Sequence, residues 1–278
     1  MNTNSIAVLG CGWLGLPLGS ALAQTGYPVA GSTTTPEKLA SLKASGIQPH
    51  LLRLSPDTRP SEIAPLLAGA QVLVLNVPPS RTAPSADRAA YTAALAPVVV
   101  ALGASSVKHV VFVSSTGVYP DEPRPMTEAD ALATPDAESH LLRAEALFQE
   151  AGQAWQTTVL RLGGLMGPGR APGRFLAART DVPQPNAPVN MLHLADAVGV
   201  IMAVIGQNTW GATLNVCAPE HPSRLAFYSA AATHLGLHPP VFSPGDERSG
   251  KRIDTTLLQQ TLPYSFRHPE PIAALNFC

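Results

Sequence analysis

The chain has 278 residues, with 18 Lys and Arg against 19 Asp and Glu, and only 13% of it is charged. With 45% hydrophobic residues and no basic run, it is not a disordered chain and carries no electrostatic footprint for nucleic acid or an anionic membrane. Three scattered cysteines, Cys11, Cys217 and Cys278, make neither a CxxC pair nor a Cys/His cluster, so no disulfide framework or metal site is expected and a cytoplasmic setting fits.

No charge precedes Glu37, and Ile6 to Ala23 is apolar enough to raise the question of a signal or anchor. The stretch lacks a positive n-region and is broken by Gly10, Gly12, Gly15, Pro17 and Gly19, which argues against both. It reads instead as a strand over 5–9 and a helix over 14–24 closed by Gly26. A second strand over 27–32 follows, then a helix over 36–45 with Pro36 at its start and Gly46 past its end. Further strands are expected at 48–54 and 72–76, with a helix over 60–68 between them. The Ala-rich stretch 87–102 reads as a long helix that Pro97 must bend or interrupt. His109 to Ser114 (HVVFVS) is a strongly β-branched strand. Beyond a Pro-rich stretch the pattern predicts a helix over 136–151, a strand over 157–162 and a Gly/Pro loop over 163–173. Shorter elements follow at 189–192, 196–205, 213–216, 223–235 and 255–262. Alternating strands and helices predict a doubly wound, mainly parallel α/β sheet over residues 1–162, with a smaller substrate-side lobe over 163–278.

Directly after the first strand, Gly10-Cys11-Gly12-Trp13-Leu14-Gly15 opens a helix. In that context GxGxxG is a dinucleotide fingerprint. The first Gly permits a tight turn, the second lets backbone N–H groups approach a pyrophosphate, and the third allows close helix–sheet packing. The helix N-terminus adds partial positive charge. About 20 residues on, an NAD site places an acid for the ribose hydroxyl. Here the segment reads Gly31-Ser32-Thr33-Thr34-Thr35, with no acid before Glu37. Ser32, Thr33 and Thr34 are therefore candidates to receive a 2′-phosphate. NADP is the expected cofactor, and NAD stays open because no Arg is present to clamp that phosphate.

The glycine loop, His109 to Tyr119 (HVVFVSSTGVY), Arg161 to Arg170 (RLGGLMGPGR) and Val189 to Asp196 (VNMLHLAD) occur in this order. The succession resembles the extended short-chain dehydrogenase/reductases, the epimerase/dehydratase group. The GCGWLGLPL start, Asn76-Val77-Pro78-Pro79 and His221 to Tyr228 (HPSRLAFY) are most similar to its atypical YeeZ-like subgroup. The resemblance implies that Ser115 hydrogen-bonds the reacting oxygen of a small-molecule substrate. It also implies that Asn76, Val77 and Pro78 lie along the cofactor, and that Arg161 and Gly163 pass the nicotinamide. His193 and Asp196 fall in a motif beside the substrate, where Asp196 is expected to cap the following helix. A homodimer through the Ala-rich segment is implied in the same way.

The departure from the family is specific. Its proton donor is a Tyr followed four residues later by a Lys, whereas Asp136 to Glu145 reads DAESHLLRAE. Aligning Glu145 with the family's glutamate puts that pair at Ala137 and Leu141; a shift of two gives Ser139 and Arg143. Tyr119, His140 and Glu138 are candidate replacements, with packing the competing reading for Tyr119 and simple exposure for His140. His234 and His238, four apart, read as a helix end rather than a zinc pair, and Cys11 as a small residue filling a turn. An NAD(P)-dependent oxidoreductase or epimerase is thus one reading, and a non-catalytic NADP(H) sensor is the other.

Overall fold

The computed structural model describes residues 4–79, 89–150 and 154–278. Along the chain run β1 (Ser5–Leu9), α1 (Gly15–Gln24), β2 (Val29–Thr33), α2 (Leu39–Ala44), β3 (Ile47–Leu51), α3 (Pro60–Leu67) and β4 (Ala70–Leu75). Then come α4 (Ala89–Gly103), β5 (His109–Ser115), β6 (Pro125–Met126), α5 (His140–Glu150), β7 (Gln156–Leu162) and β8 (Gly164–Met166). The remainder comprises β9 (Met191–His193), α6 (Leu194–Gly206), β10 (Thr213–Val216), α7 (Arg224–His234), β11 (Arg252–Ile253) and α8 (Thr256–Thr261).

Seven strands form one sheet in the order β3-β2-β1-β4-β5-β7-β10. Pairing is parallel across β3, β2, β1, β4 and β5. Helices on both faces explain why SIAVL, AQVLVL and HVVFVSS bury nearly every residue instead of alternating. The order reverses at β1, whose neighbours are β2 and β4, so the glycine loop leaves the sheet at its topological switch point.

The chain divides into two compact units: Met1–Ser114, Ala131–Leu160 and Ile201–Thr213 make the first, and Ser115–Asp130, Arg161–Val200 and Leu214–Cys278 the second. The first is built on a core of Leu73, Ile63, Leu66, Val98, Phe112 and Phe148. The second has a smaller core in which Met166, Met191, Phe227 and Leu275 pack together.

Several elements depart from the sequence expectation for physical reasons. The helix expected over 36–45 opens as a 3-10 turn, Pro36–Lys38, before α2. Helix α4 runs unbroken through Pro97; the N–H that proline lacks would have served the carbonyl of Ala93, an exposed residue that water can satisfy. Helix α5 starts at His140 rather than 136, because Arg143 donates to the carbonyls of Ala137 at 2.7 Å and Glu138 at 3.2 Å and holds them outside the helix. Within the expected 163–173 loop, Gly164–Met166 forms β8 and pairs in parallel with β9. Nothing in the pattern announced the two-residue pair β6 and β11. Asp87 and Arg88, the expected start of the Ala-rich helix, and Ala151, the expected end of the next, lie outside the described residues. No helix among the described residues is long and apolar enough to cross a membrane, and the apolar 6–23 stretch divides into β1, the glycine turn and α1.

Candidate functional site

In the first unit the glycine loop is pinned from both sides. Gly10 N–H donates to Ser32 Oγ at 2.9 Å, and Cys11 N–H to the Ser32 carbonyl at 2.7 Å. From the other side Asn76 Nδ2 donates to the Gly10 carbonyl at 3.0 Å, and Asn76 N–H to the Leu9 carbonyl at 2.9 Å. The ends of β2 and β4 thus hold the turn that follows β1. Gly10 sits at φ +104°, where a Cβ would strike the Asn76 carbonyl oxygen at 2.5 Å. A Cβ on Gly15 would meet the Gly10 carbonyl oxygen at 2.1 Å. Gly12 differs: nothing lies within 4 Å of the position its Cβ would take. The first and third glycines are required by packing, and the second leaves backbone open on its outer side.

Helix α1 starts there with no side-chain cap and no acid in its first turn. The turn at Gly12, which Trp13 and Leu14 carry into α1, therefore fits a pyrophosphate: open space over Gly12, a helix N-terminus and no competing carboxylate. The neighbouring segment is equally fixed, since Tyr91 on α4 donates its hydroxyl to the Val77 carbonyl at 2.8 Å, while Pro78 is exposed. Cys11 packs under this loop; burial pushes its thiol up to about 12, so it is no thiolate nucleophile at neutral pH.

Of the hydroxyl cluster, Ser32 is spent on Gly10 N–H, and Thr33 Oγ1 accepts from Thr35 N–H at 3.2 Å. Thr34 alone of the three is exposed. His140, also in the first unit, meets the Tyr91 ring edge-on at 6.0 Å. On the same helix the fully buried Glu145 accepts from Ser114 Oγ at 2.5 Å.

The second unit gathers Ser115, Tyr119 and Arg161. Ser115 Oγ accepts from Gly117 N–H at 3.1 Å, capping the 3-10 turn Thr116–Val118, and keeps its own proton to donate. Tyr119 is buried, and its hydroxyl donates to Asn215 Oδ1 at 2.6 Å. Arg161, 2% exposed, donates from Nη1 to the Tyr119 hydroxyl at 2.8 Å and to the Glu128 carbonyl at 3.1 Å, with its guanidinium 5.2 Å from the Tyr119 ring centre. Desolvation raises the phenol pKa, against the pull of Arg161. These two side chains point into the protein's own network: Tyr119 takes the packing position, its competing reading in the sequence, and Arg161 Nη1 is engaged by Tyr119 and Glu128. Gly163 is likewise a packing glycine. Its N–H donates to the Val216 carbonyl at 2.8 Å, and a Cβ would lie 2.8 Å from the Asn190 carbonyl oxygen.

Residues 11–203 match the family model described as NAD(P)H-binding. Over 269 residues the chain is 34% identical to protein YeeZ of Escherichia coli K12, covering 96% of this chain and 97% of that one. This chain belongs to the NAD(P)H-binding family, with YeeZ as a full-length relative. Its fold matches MoeE5 in complex with UDP-glucose and NAD at TM-score 0.78 and 19% identity, over 99% of this chain and 97% of that one. It also matches human epimerase family protein SDR39U1 with NADPH at TM-score 0.71 and 17% identity, over 98% and 97%.

Of the positions at which the resemblance would set a Tyr and a Lys, Ala137 lies ahead of α5, and neither Ala137 nor Leu141 carries a side chain that can exchange a proton; Ser139 also precedes the helix, and Arg143 is tied to carbonyls. Glu138 lies on the same irregular lead-in, its carbonyl held by Arg143. His234 ends α7 and His238 lies beyond it, so the two do not share a helix face.

Asp196 does not cap its helix as expected. Its buried carboxylate accepts from Tyr264 Oη at 2.9 Å, Arg267 N–H at 2.6 Å and His268 N–H at 3.0 Å. The cap is His193, whose Nδ1 accepts from Ala195 N–H at 3.2 Å, leaving Nε2 to donate to the Phe277 carbonyl at 3.2 Å. His193, Asp196 and His268 offer ligand atoms within 4.8 Å of one another, yet both oxygens of Asp196 and both nitrogens of His193 are already bonded. The cluster is a clasp on the C-terminal segment.

Burial, first of all, lowers the pKa of His193, and it does the same to His50, His109 and His221. As pH falls, the unfolded imidazoles protonate before the folded ones, so the unfolded state binds more protons and stability drops. The loss starts as pH falls through about 6.5 and is complete below the depressed folded values. The urea midpoint should therefore be lower at about pH 5.5 than at about pH 7.5; an equal midpoint would mean these rings charge freely in the fold.

Sequence reasoning missed Asn215. Fully buried in β10, it accepts from Tyr119, donates from Nδ2 to the carbonyls of Met126 and Asp254 at 3.3 and 3.0 Å, and donates its N–H to Glu128 at 2.7 Å. An Asn inside the apolar run TLNV was the available signal, since Asn is depleted in strands.

Proposed function

We propose that this chain is an NAD(P)H-dependent reductase or epimerase that acts on a small or nucleotide-sugar-like carbonyl substrate and prefers NADP. One observation carries the reading: a glycine loop held at Gly10, Cys11 and Gly15 leaves the space over Gly12 open, and nothing in the protein's own packing requires glycine there. In a GxGxxG turn between a strand and a helix, that opening is where a pyrophosphate reaches the backbone N–H groups.

When bound, a reduced nicotinamide supplies hydride. The chain's own part is to hold and orient. Gly10, Gly12 and Gly15 shape the pyrophosphate turn, Asn76 anchors it, and the Val77–Pro78 segment is steadied by Tyr91. In the second unit Ser115, fixed by Gly117 N–H, donates a hydrogen bond to the substrate oxygen and polarises the carbonyl. The preference for NADP rests on the end of β2, where no acid stands to accept a ribose hydroxyl or to repel a 2′-phosphate, and where exposed Thr34 offers a donor. MoeE5, solved with UDP-glucose and NAD, supports the substrate class.

Calorimetric titration with NADPH and separately with NADH tests the reading. Micromolar binding of NADPH, on the order of tenfold tighter than NADH, is the expected outcome. Equal affinities would remove the NADP preference, and binding of neither would remove the enzyme reading.

A further inference from the structure

The chain has four lysines, Lys38, Lys43, Lys108 and Lys251, and Lys251 is held in an unusual way. Its Nζ donates to the Tyr119 carbonyl at 2.7 Å, and its main-chain N–H to Asp121 Oδ1 at 3.3 Å. Its carbonyl accepts from Asn190 Nδ2 at 2.9 Å, while Asn190 Oδ1 accepts from Ile253 N–H at 2.9 Å. The Asn190 carbonyl in turn takes the N–H of Gly164, just past the end of β7. This long, flexible side chain is thereby tied, within the second unit, to the segments that leave the carboxyl ends of β5 and β7. Ligands of parallel α/β sheets bind beyond those ends.

An ammonium has three N–H donors, and Tyr119 takes one. Between Tyr119 and Ser115 lies only the 3-10 turn Thr116–Val118, which at about 2 Å per residue separates their Cα atoms by roughly 8 Å. One short segment therefore carries the hydroxyl assigned to the substrate oxygen and seats a lysine with donors to spare. The geometry points to Lys251 as the proton donor to that oxygen, in place of the Tyr/Lys pair that the α5 region lacks. This inference rests on the reductase reading above.

In the reducing direction the carbonyl carbon gains the hydride supplied by the nicotinamide coenzyme, the C–O π pair moves onto oxygen, and that oxygen takes a proton from Nζ. The N–H bond breaks, an O–H bond forms, and the neutral amine is recharged by solvent. Half-burial suits the role, because desolvation lowers the lysine pKa while Asp121 opposes the shift. Arg252 and Asp254 are charged neighbours in its own segment, and Arg161 lies against the same Tyr119 that seats the ammonium. Arg124, beside β6, is already paired with Glu122 at 2.8 Å and Asp130 at 2.7 Å.

Competitive acetylation of the four lysines from neutral to alkaline pH, read peptide by peptide by mass spectrometry, tests the titration without any turnover. Lys251 should become reactive at lower pH than Lys38, Lys43 and Lys108; an ordinary titration overturns the proposal. With NADPH and phenanthrenequinone as carbonyl probe, Lys251→Met should lower turnover on the order of a hundredfold with NADPH affinity unchanged by calorimetry. Lys251→Arg keeps the charge but cannot release its proton near neutral pH, so it should be equally slow. Turnover by Lys251→Met or Lys251→Arg at the parental rate overturns the assignment, as does an unsubstituted chain that binds NADPH yet reduces no probe. Failure of the unsubstituted chain to bind NADPH is a separate result and removes the reductase reading itself.

Discussion

Gly12→Ala should fold as stably as the parent chain and bind NADPH on the order of a hundredfold more weakly, about 3 kcal/mol, whereas Gly15→Ala should lose the fold of the loop itself. The contrast follows from what each added methyl meets. At Gly12 it meets no protein atom within 4 Å, so nothing in the folded chain must move. The methyl instead occupies the space through which a pyrophosphate reaches the backbone N–H groups. At Gly15 it meets a backbone oxygen, that of Gly10, at 2.1 Å, and Asn76 Nδ2 at 3.0 Å. The first is backbone and the second is held by its hydrogen bond to the Gly10 carbonyl, so relief requires breaking the Asn76–Gly10 hydrogen bond and parting α1 from the turn. Overpacking and a lost hydrogen bond together cost about 3 kcal/mol. Urea midpoints and calorimetric titrations of the two variants separate the effects. A Gly12→Ala chain that binds NADPH normally would mean that the open backbone is not the pyrophosphate site.

Asp196→Ala should cost about 4 kcal/mol, seen as a fall of roughly 10 °C in melting temperature. The carboxylate is 0% exposed and is the acceptor for three donors, two of them backbone N–H groups of Arg267 and His268. Removing it takes the acceptor from three part-buried bonds at once, and a donor left without an acceptor is costlier than a lost surface bond. Asp196→Asn should recover little, because the amide retains one acceptor oxygen and turns an N–H toward a site that needs acceptors. The size of the effect discriminates between roles. A loss of only about 1 kcal/mol is what a helix cap contributes, and would return Asp196 to the capping role its sequence position suggested.

How far each feature was legible depends on the distance over which its cause acts. The succession of strands and helices through His109 could be read directly, because a buried parallel strand is a local apolar run and a helix announces its ends with Pro36 or Gly46. The glycine loop was legible for the same reason: three glycines at fixed spacing between a strand and a helix state a backbone requirement that does not depend on the rest of the chain. Family membership came with it.

The chemistry of the second unit was not legible in this way. Tyr119 looked available because it lies four residues from Ser115; whether its hydroxyl meets ligand or protein depended on Asn215, 96 residues away. Asp196 looked like a cap until its partners, Tyr264 to His268, arrived from 68 to 72 residues downstream. Lys251 sat unnoticed in a loop because its partner carbonyl belongs to Tyr119, 132 residues earlier. The sequence by itself determined the sheet, the turn and the dinucleotide fingerprint, since each is specified by neighbours a few residues apart. Only the tertiary structure decided which polar side chains are spent inside the protein and which remain for a ligand. Hydrogen bonds between distant segments carry no periodicity, and they form only once the strands have brought their partners together.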